Sequence, residues 1–147
     1  MKTLIPKSIS NIIIIAIALL SYLELASSQP LDATIKINNK AEVVKGQSGG
    51  IIDSKGCGFI GETPSHIMNL SQRVDYMRLT VESAGGEPTL LVLGPKPGDS
   101  FCILGDRASG LKPEISGVWE AGEYQIYVGD RASGKKQPFT LDISTDN

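Results

Sequence analysis

From Arg73 to Glu82 the chain reads RVDYMRLTVE, a run that alternates with a period of two. On an extended backbone Asp75, Met77, Leu79 and Val81 share one side, while Val74, Tyr76, Arg78 and Thr80 share the other. The first side is expected to face a core, with Asp75 at the exposed start of the strand. TLLVLG at Thr89–Gly94 is short and rich in β-formers, as suits a buried strand, and SFCIL at Ser100–Leu104 reads as a further strand carrying Cys102. Tyr124, Ile126 and Val128 alternate with Gln125 and Tyr127, and Phe139, Leu141 and Ile143 share a face of the closing run. Between these runs stand AGGEP at Ala84–Pro88 and PKPGD at Pro95–Asp99, both turn sequences. GVWEAGEYQIYVGD reads as a hairpin turning at Ala121-Gly122. Strands so closely spaced, with no helical period after residue 29, point to an all-β sandwich or barrel.

The first 28 residues have a different logic. Lys2 and Lys7 precede the apolar run Ile12–Leu20, which Ser21, Tyr22 and Glu24 interrupt before it reaches membrane-spanning length. Ala26 and Ser28 supply a small-x-small exit, so the pattern is a secretory signal cleaved before Gln29. A secreted or periplasmic protein with no lasting membrane insertion is the expectation. Residues 29–47 are a polar lead-in, with Thr34–Ile37 as an extended edge segment, and residues 48–147 make up the domain.

Removing residues 1–28 takes away two lysines and one glutamate and moves the formal net charge from −2 to about −3. Mild acidity of mixed sign offers no footprint for nucleic acid. The two cysteines, Cys57 and Cys102, enter an oxidising compartment, where pairing is the default.

Further along, SGG and GCGFIG, a Pro-Ser-His stretch, YMRLTVESAGGEPTLLVLGP, the Cys102 strand, GLKPEISGVWEAGEYQIYVGD and the terminal PFTLDIS form a series. The series resembles the pre-peptidase C-terminal domain-like family, in its stand-alone bacterial and cyanobacterial form, over roughly Ser48 to Thr145. The resemblance implies a single antiparallel β-sandwich of jelly-roll type. It also implies an extracytoplasmic accessory module, in some members binding polymers or calcium. Family members commonly carry a run of Asp and Asn after the Cys, whereas this chain reads Cys102-Ile-Leu-Gly-Asp106-Arg107. One acid beside a cation departs from the donor set that calcium prefers, so no metal or other cofactor is assigned.

GDRASG occurs twice, at Gly105–Gly110 and at Gly129–Gly134, each copy directly after a β-run. As turn chemistry, the Asp and Ser side chains accept backbone N–H groups and the glycines supply positive φ. As a binding rim, Asp106, Arg107, Ser109, Asp130, Arg131 and Ser133 meet at one end of the sandwich, where Arg offers a planar donor fork to carboxylate, sulfate or sugar hydroxyls. The turn reading carries the greater weight. Nucleophilic catalysis would need His66, the one histidine, which is expected to be half-buried or at the surface between Pro64 and the apolar pair Ile67-Met68. No spacing picks a catalytic pair from Glu82, Glu87, Glu114, Glu120 and Glu123. The expectation is a non-enzymatic interaction module with a protein or polysaccharide partner. The alternatives are a calcium-assisted carbohydrate binder and, behind it, a small secreted hydrolase.

Overall fold

The structure, a computed structural model, describes residues 34–36 and 41–146, so the signal pattern lies outside the described residues. Among them all regular structure is β-strand. The unit Asp32–Asn147 holds eleven strands: β1 Thr34–Lys36, β2 Glu42–Gln47, β3 Ile52–Asp53, β4 Phe59–Ile60, β5 His66–Leu70, β6 Val74–Ser83, β7 Pro88–Leu93, β8 Ser100–Leu104, β9 Glu114–Trp119, β10 Gly122–Asp130 and β11 Pro138–Ser144. They form two sheets. In one, β2, β11, β6 and β9 lie side by side. In the other, β10 is central, with β5 and β4 along one edge and β7 along the other; β1, β3 and β8 continue outward from β5, β4 and β7.

The main core lies between the sheets. Met68, Leu90, Val92, Ile126 and Val128 from one face Met77, Leu79, Val81, Leu141 and Ile143 from the other. The alternation in the sequence therefore has its physical counterpart: one side of each central strand is sealed, and burying an apolar side chain contributes about 1.5–3 kcal/mol. A smaller cluster on the outer face of the larger sheet joins Cys57, Ile60 and Leu91. Cys57 and Cys102 form the expected disulfide, with Cα atoms 5.7 Å apart, and fasten edge strand β8 to the segment before β4.

Four sequence expectations change. The sandwich starts before Ser48, because β1 pairs with β5 and β2 runs along β11 from Glu42 to Gln47. The β1–β5 pair is parallel, whereas every other pair is antiparallel. The run around Ala121-Gly122 is no hairpin: β9 belongs to the four-stranded sheet and β10 to the other, so the link arches across the core. Trp119 and Tyr124 meet inside that arch, edge to face at 5.1 Å, each planted in a different sheet. Finally, Val74 packs against the core and does not share the solvent side. The pairing steps from Val74↔Trp119 to Met77↔Gly117, three residues against two, so a β-bulge reverses the alternation at the start of β6. Asp75 is exposed, as expected.

Candidate functional site

The two GDRASG copies come together through β7. This strand runs between β8 and β10 and antiparallel to both, so both neighbours end beside its first residues, with Leu104 opposite Thr89 and Asp130 opposite Pro88. Gly105 N–H donates to the Pro88 carbonyl at 2.9 Å and Arg131 N–H to the Glu87 carbonyl at 3.0 Å. The Arg131 guanidinium then donates from Nη2 to the Gly105 carbonyl at 3.5 Å, which ties the second copy to the first.

Identical letters take different roles here. In the first copy the Asp106 carboxylate is exposed and accepts Ser109 N–H at 2.7 Å, while Ser109 Oγ donates to the Asp106 carbonyl at 3.1 Å. Leu111 N–H closes the turn on the same carbonyl at 2.7 Å. This is a self-contained turn. In the second copy Gly129 and Asp130 still belong to β10, and Asp130 is only 1% exposed. Its Oδ1 accepts Ala132 N–H at 2.8 Å and its Oδ2 accepts Glu87 N–H at 3.1 Å, so the carboxylate braces the neighbouring turn. Gly86, at φ 76°, makes that approach feasible: a Cβ there would lie 2.2 Å from Asp130 Oδ2.

Of the six expected rim residues, Asp106, Arg107, Ser109, Arg131 and Ser133 are exposed, and Asp130 lies beneath the surface as a strut. Lys135 and Lys136, on the segment following the second copy, are also exposed, and Gly134 N–H anchors that segment to the Gly50 carbonyl at 2.8 Å. A cleft of about 190 Å³ opens beside the first copy, between Ser83–Pro88 and Gly110–Lys112. Glu82 and Lys112 form an ion pair at this cleft.

Calcium fits this end poorly. Both Asp130 oxygens and one Asp106 oxygen accept backbone N–H groups, and no group of three or more His, Cys, Asp or Glu suited to a metal is gathered among the described residues. His66, expected to be half-buried or at the surface, is buried at 7% exposure, with its ring edge-on to Phe139 at 6.0 Å. Packing inside the sandwich places it away from bulk solvent.

A second cleft, of about 200 Å³, escaped the reading of the sequence. It opens between β8 and β9, the adjoining edges of the two sheets, and is lined by Phe101, Ile115, Gly117 and Trp119, with Asp99 and Glu120 contributing acid. The signal was present in the uncharged SFCIL, but only its place at an edge makes Phe101 an exposed residue. Beside this cleft burial pushes the Tyr124 phenol above its ordinary range, and the Asp99 and Glu120 carboxylates add to the rise; its O–H donates to the Glu120 carbonyl at 3.0 Å.

No protein-family model matches the sequence. An uncharacterized protein of Synechococcus elongatus is 42% identical over 105 residues, a match covering 69% of this chain and 73% of the relative. Among solved structures, the pre-peptidase C-terminal domain of a Bacillus anthracis collagenase superposes with a TM-score of 0.53 at 13% identity, covering 79% of this chain and 99% of that one. A periplasmic inhibitor of g-type lysozyme from Aeromonas hydrophila gives a TM-score of 0.43 at 21% identity, covering 76% and 95%. The chain thus belongs to one family with the Synechococcus elongatus protein and has the fold of the pre-peptidase C-terminal domain.

Proposed function

We propose that the protein is an exported, non-enzymatic binding module that holds an acidic polysaccharide against its twin-loop end. The observation that carries this reading is an asymmetry of charge within the repeated hexapeptide. The Asp130 and Asp106 carboxylates serve backbone N–H groups, while Arg107, Arg131, Lys135 and Lys136 stay exposed. A chain of net negative charge therefore presents a cationic rim, in which Arg supplies paired donors to sulfate or carboxylate and serine hydroxyls reach sugar oxygens. Export is supported by the signal pattern of residues 1–28 and by the Cys57–Cys102 disulfide, a bond at home in oxidising compartments. The calcium-assisted alternative draws no support from carboxylates already committed to their own backbone, and the hydrolase alternative draws none from a histidine buried against Phe139.

Isothermal titration with dextran sulfate, with neutral dextran as the control, tests the reading. Binding to the sulfated polymer alone, weakening with added salt and lost in an Arg107→Ala/Arg131→Ala variant, is the expected result. Equal response to both polymers, or retention in the double variant, removes the rim from the function. Calcium at millimolar concentration is expected to leave the melting temperature unchanged.

A further inference from the structure

The cleft between β8 and β9 joins an apolar slot to an acidic lip. Ile115, Gly117 and Trp119 line it from β9, and Phe101 lines it from β8, its ring 50% exposed and 6.5 Å from that of Trp119. Gly117 leaves room between its neighbours, since a Cβ there would meet nothing within 4 Å. The slot therefore stands open to solvent at the seam of the two sheets. Asp99, also lining it, is half-buried, and among the described residues no cation pairs with its carboxylate and no donor bonds it. Glu120 is held by Arg73, which also holds Asp75. Glu123 and Lys96 line the groove on the other side of Asp99. At this corner four acids stand against two bases, and Asp99 is the acid left without a partner.

We propose that this cleft seats an arginine side chain of a partner protein, with the aliphatic stem in the slot and the guanidinium against Asp99. Size favours a single side chain, because at about 200 Å³ the cleft is smaller than the ~300–1,000 Å³ of sites that enclose whole small molecules. Chemistry favours arginine. A purely apolar group would strip water from the Asp99 carboxylate and return nothing for it. A lysine would bring a compact, strongly hydrated charge, whereas guanidinium is less hydrated, offers a carboxylate two parallel donors and is attracted to aromatic rings such as that of Phe101. Arginine is also among the residues that most often anchor protein interfaces from within a pocket. The cleft lies away from the twin loops. Those meet the first residues of β7, while Asp99 sits at its far end, where its carbonyl accepts Gly94 N–H at 2.9 Å. Arginine recognition here is therefore independent of the polysaccharide reading.

Trp119 is the chain's one tryptophan, so its emission reports on this cleft. The purified protein is titrated with acetyl-Gly-Arg-Gly-amide and with the citrulline counterpart, which keeps the shape and loses the charge, while heat and emission are read together. Saturable binding of the arginine peptide that shifts the emission, and several-fold weaker binding of the citrulline peptide, are expected. Asp99→Asn should weaken the arginine peptide about fivefold or more, and Phe101→Ala should weaken both peptides, each variant melting near the wild-type temperature. Arg107→Ala/Arg131→Ala should leave the titration unchanged. Equal binding of the two peptides would mark an apolar site without charge recognition. That result, full affinity in Asp99→Asn, or neither heat nor an emission change with the arginine peptide would each overturn the proposal.

Discussion

Asp130 and Glu87 stand 43 residues apart in the chain, yet the Asp130 carboxylate accepts the Glu87 N–H at 3.1 Å. The other aspartate of the repeated hexapeptide, Asp106, serves only its own turn, three residues on. One six-letter word therefore encodes a long-range brace in one place and a local clamp in the other.

That division should show in stability. Asp130→Ala leaves two N–H groups, of Glu87 and Ala132, without their acceptor in a buried site, and is expected to cost about 2–4 kcal/mol. Asp106→Ala, at an exposed turn, should cost about 1 kcal/mol or less. Urea denaturation of the two variants gives the comparison, and equal losses would contradict the strut role of Asp130.

Glycine substitutions probe the same brace from the other side. Gly86 and Gly134 have nearly the same φ, 76° and 73°, but a Cβ at Gly86 would meet Asp130 Oδ2 at 2.2 Å while one at Gly134 would meet nothing within 4 Å. Ala at either position carries the backbone cost of positive φ, about 1–2 kcal/mol. Gly86→Ala must in addition displace the carboxylate. Its midpoint in urea should therefore fall clearly below that of Gly134→Ala.

The disulfide should contribute heavily for its loop of 45 residues. Cys57→Ala/Cys102→Ala is expected to lose roughly 4 kcal/mol by the chain-entropy model, which lowers the melting temperature by on the order of 10 °C or more. Calorimetry of the double variant checks this.

Tyr124 gives the alkaline limb of stability a specific cause. Burial raises its folded-state pKa above the ordinary value near 10, so the folded state holds the phenolic proton more tightly than the unfolded chain does. The resulting stabilisation is complete below about pH 10 and is lost as pH rises towards the folded-state pKa. Tyr124→Phe should lose about 0.5–1.5 kcal/mol at neutral pH with the hydrogen bond to the Glu120 carbonyl, yet decline less steeply than wild type from pH 9 to 11. Parallel slopes would leave Tyr124 without a role in that limb.

The sequence alone determined the class of the fold, most of its strands, the Pro95–Asp99 turn, the core faces of β6 and β11 and the Cys57–Cys102 pairing. These rest on local periodicity, on turn chemistry and on there being only two thiols to join. It did not reveal that Glu120-Ala121 carries the chain from one sheet to the other, because alternation looks the same whichever sheet a strand joins. The side taken by Val74 was likewise hidden, since a bulge is defined against a partner strand more than forty residues away. Nor could a hexapeptide say which of its aspartates would be buried: Gly129-Asp130 ends a central strand flanked by β7 and β4, while Gly105-Asp106 leaves an edge. Only the tertiary structure decided these points, because membership of a sheet, burial and exposure of an edge follow from hydrogen bonds and packing between distant segments.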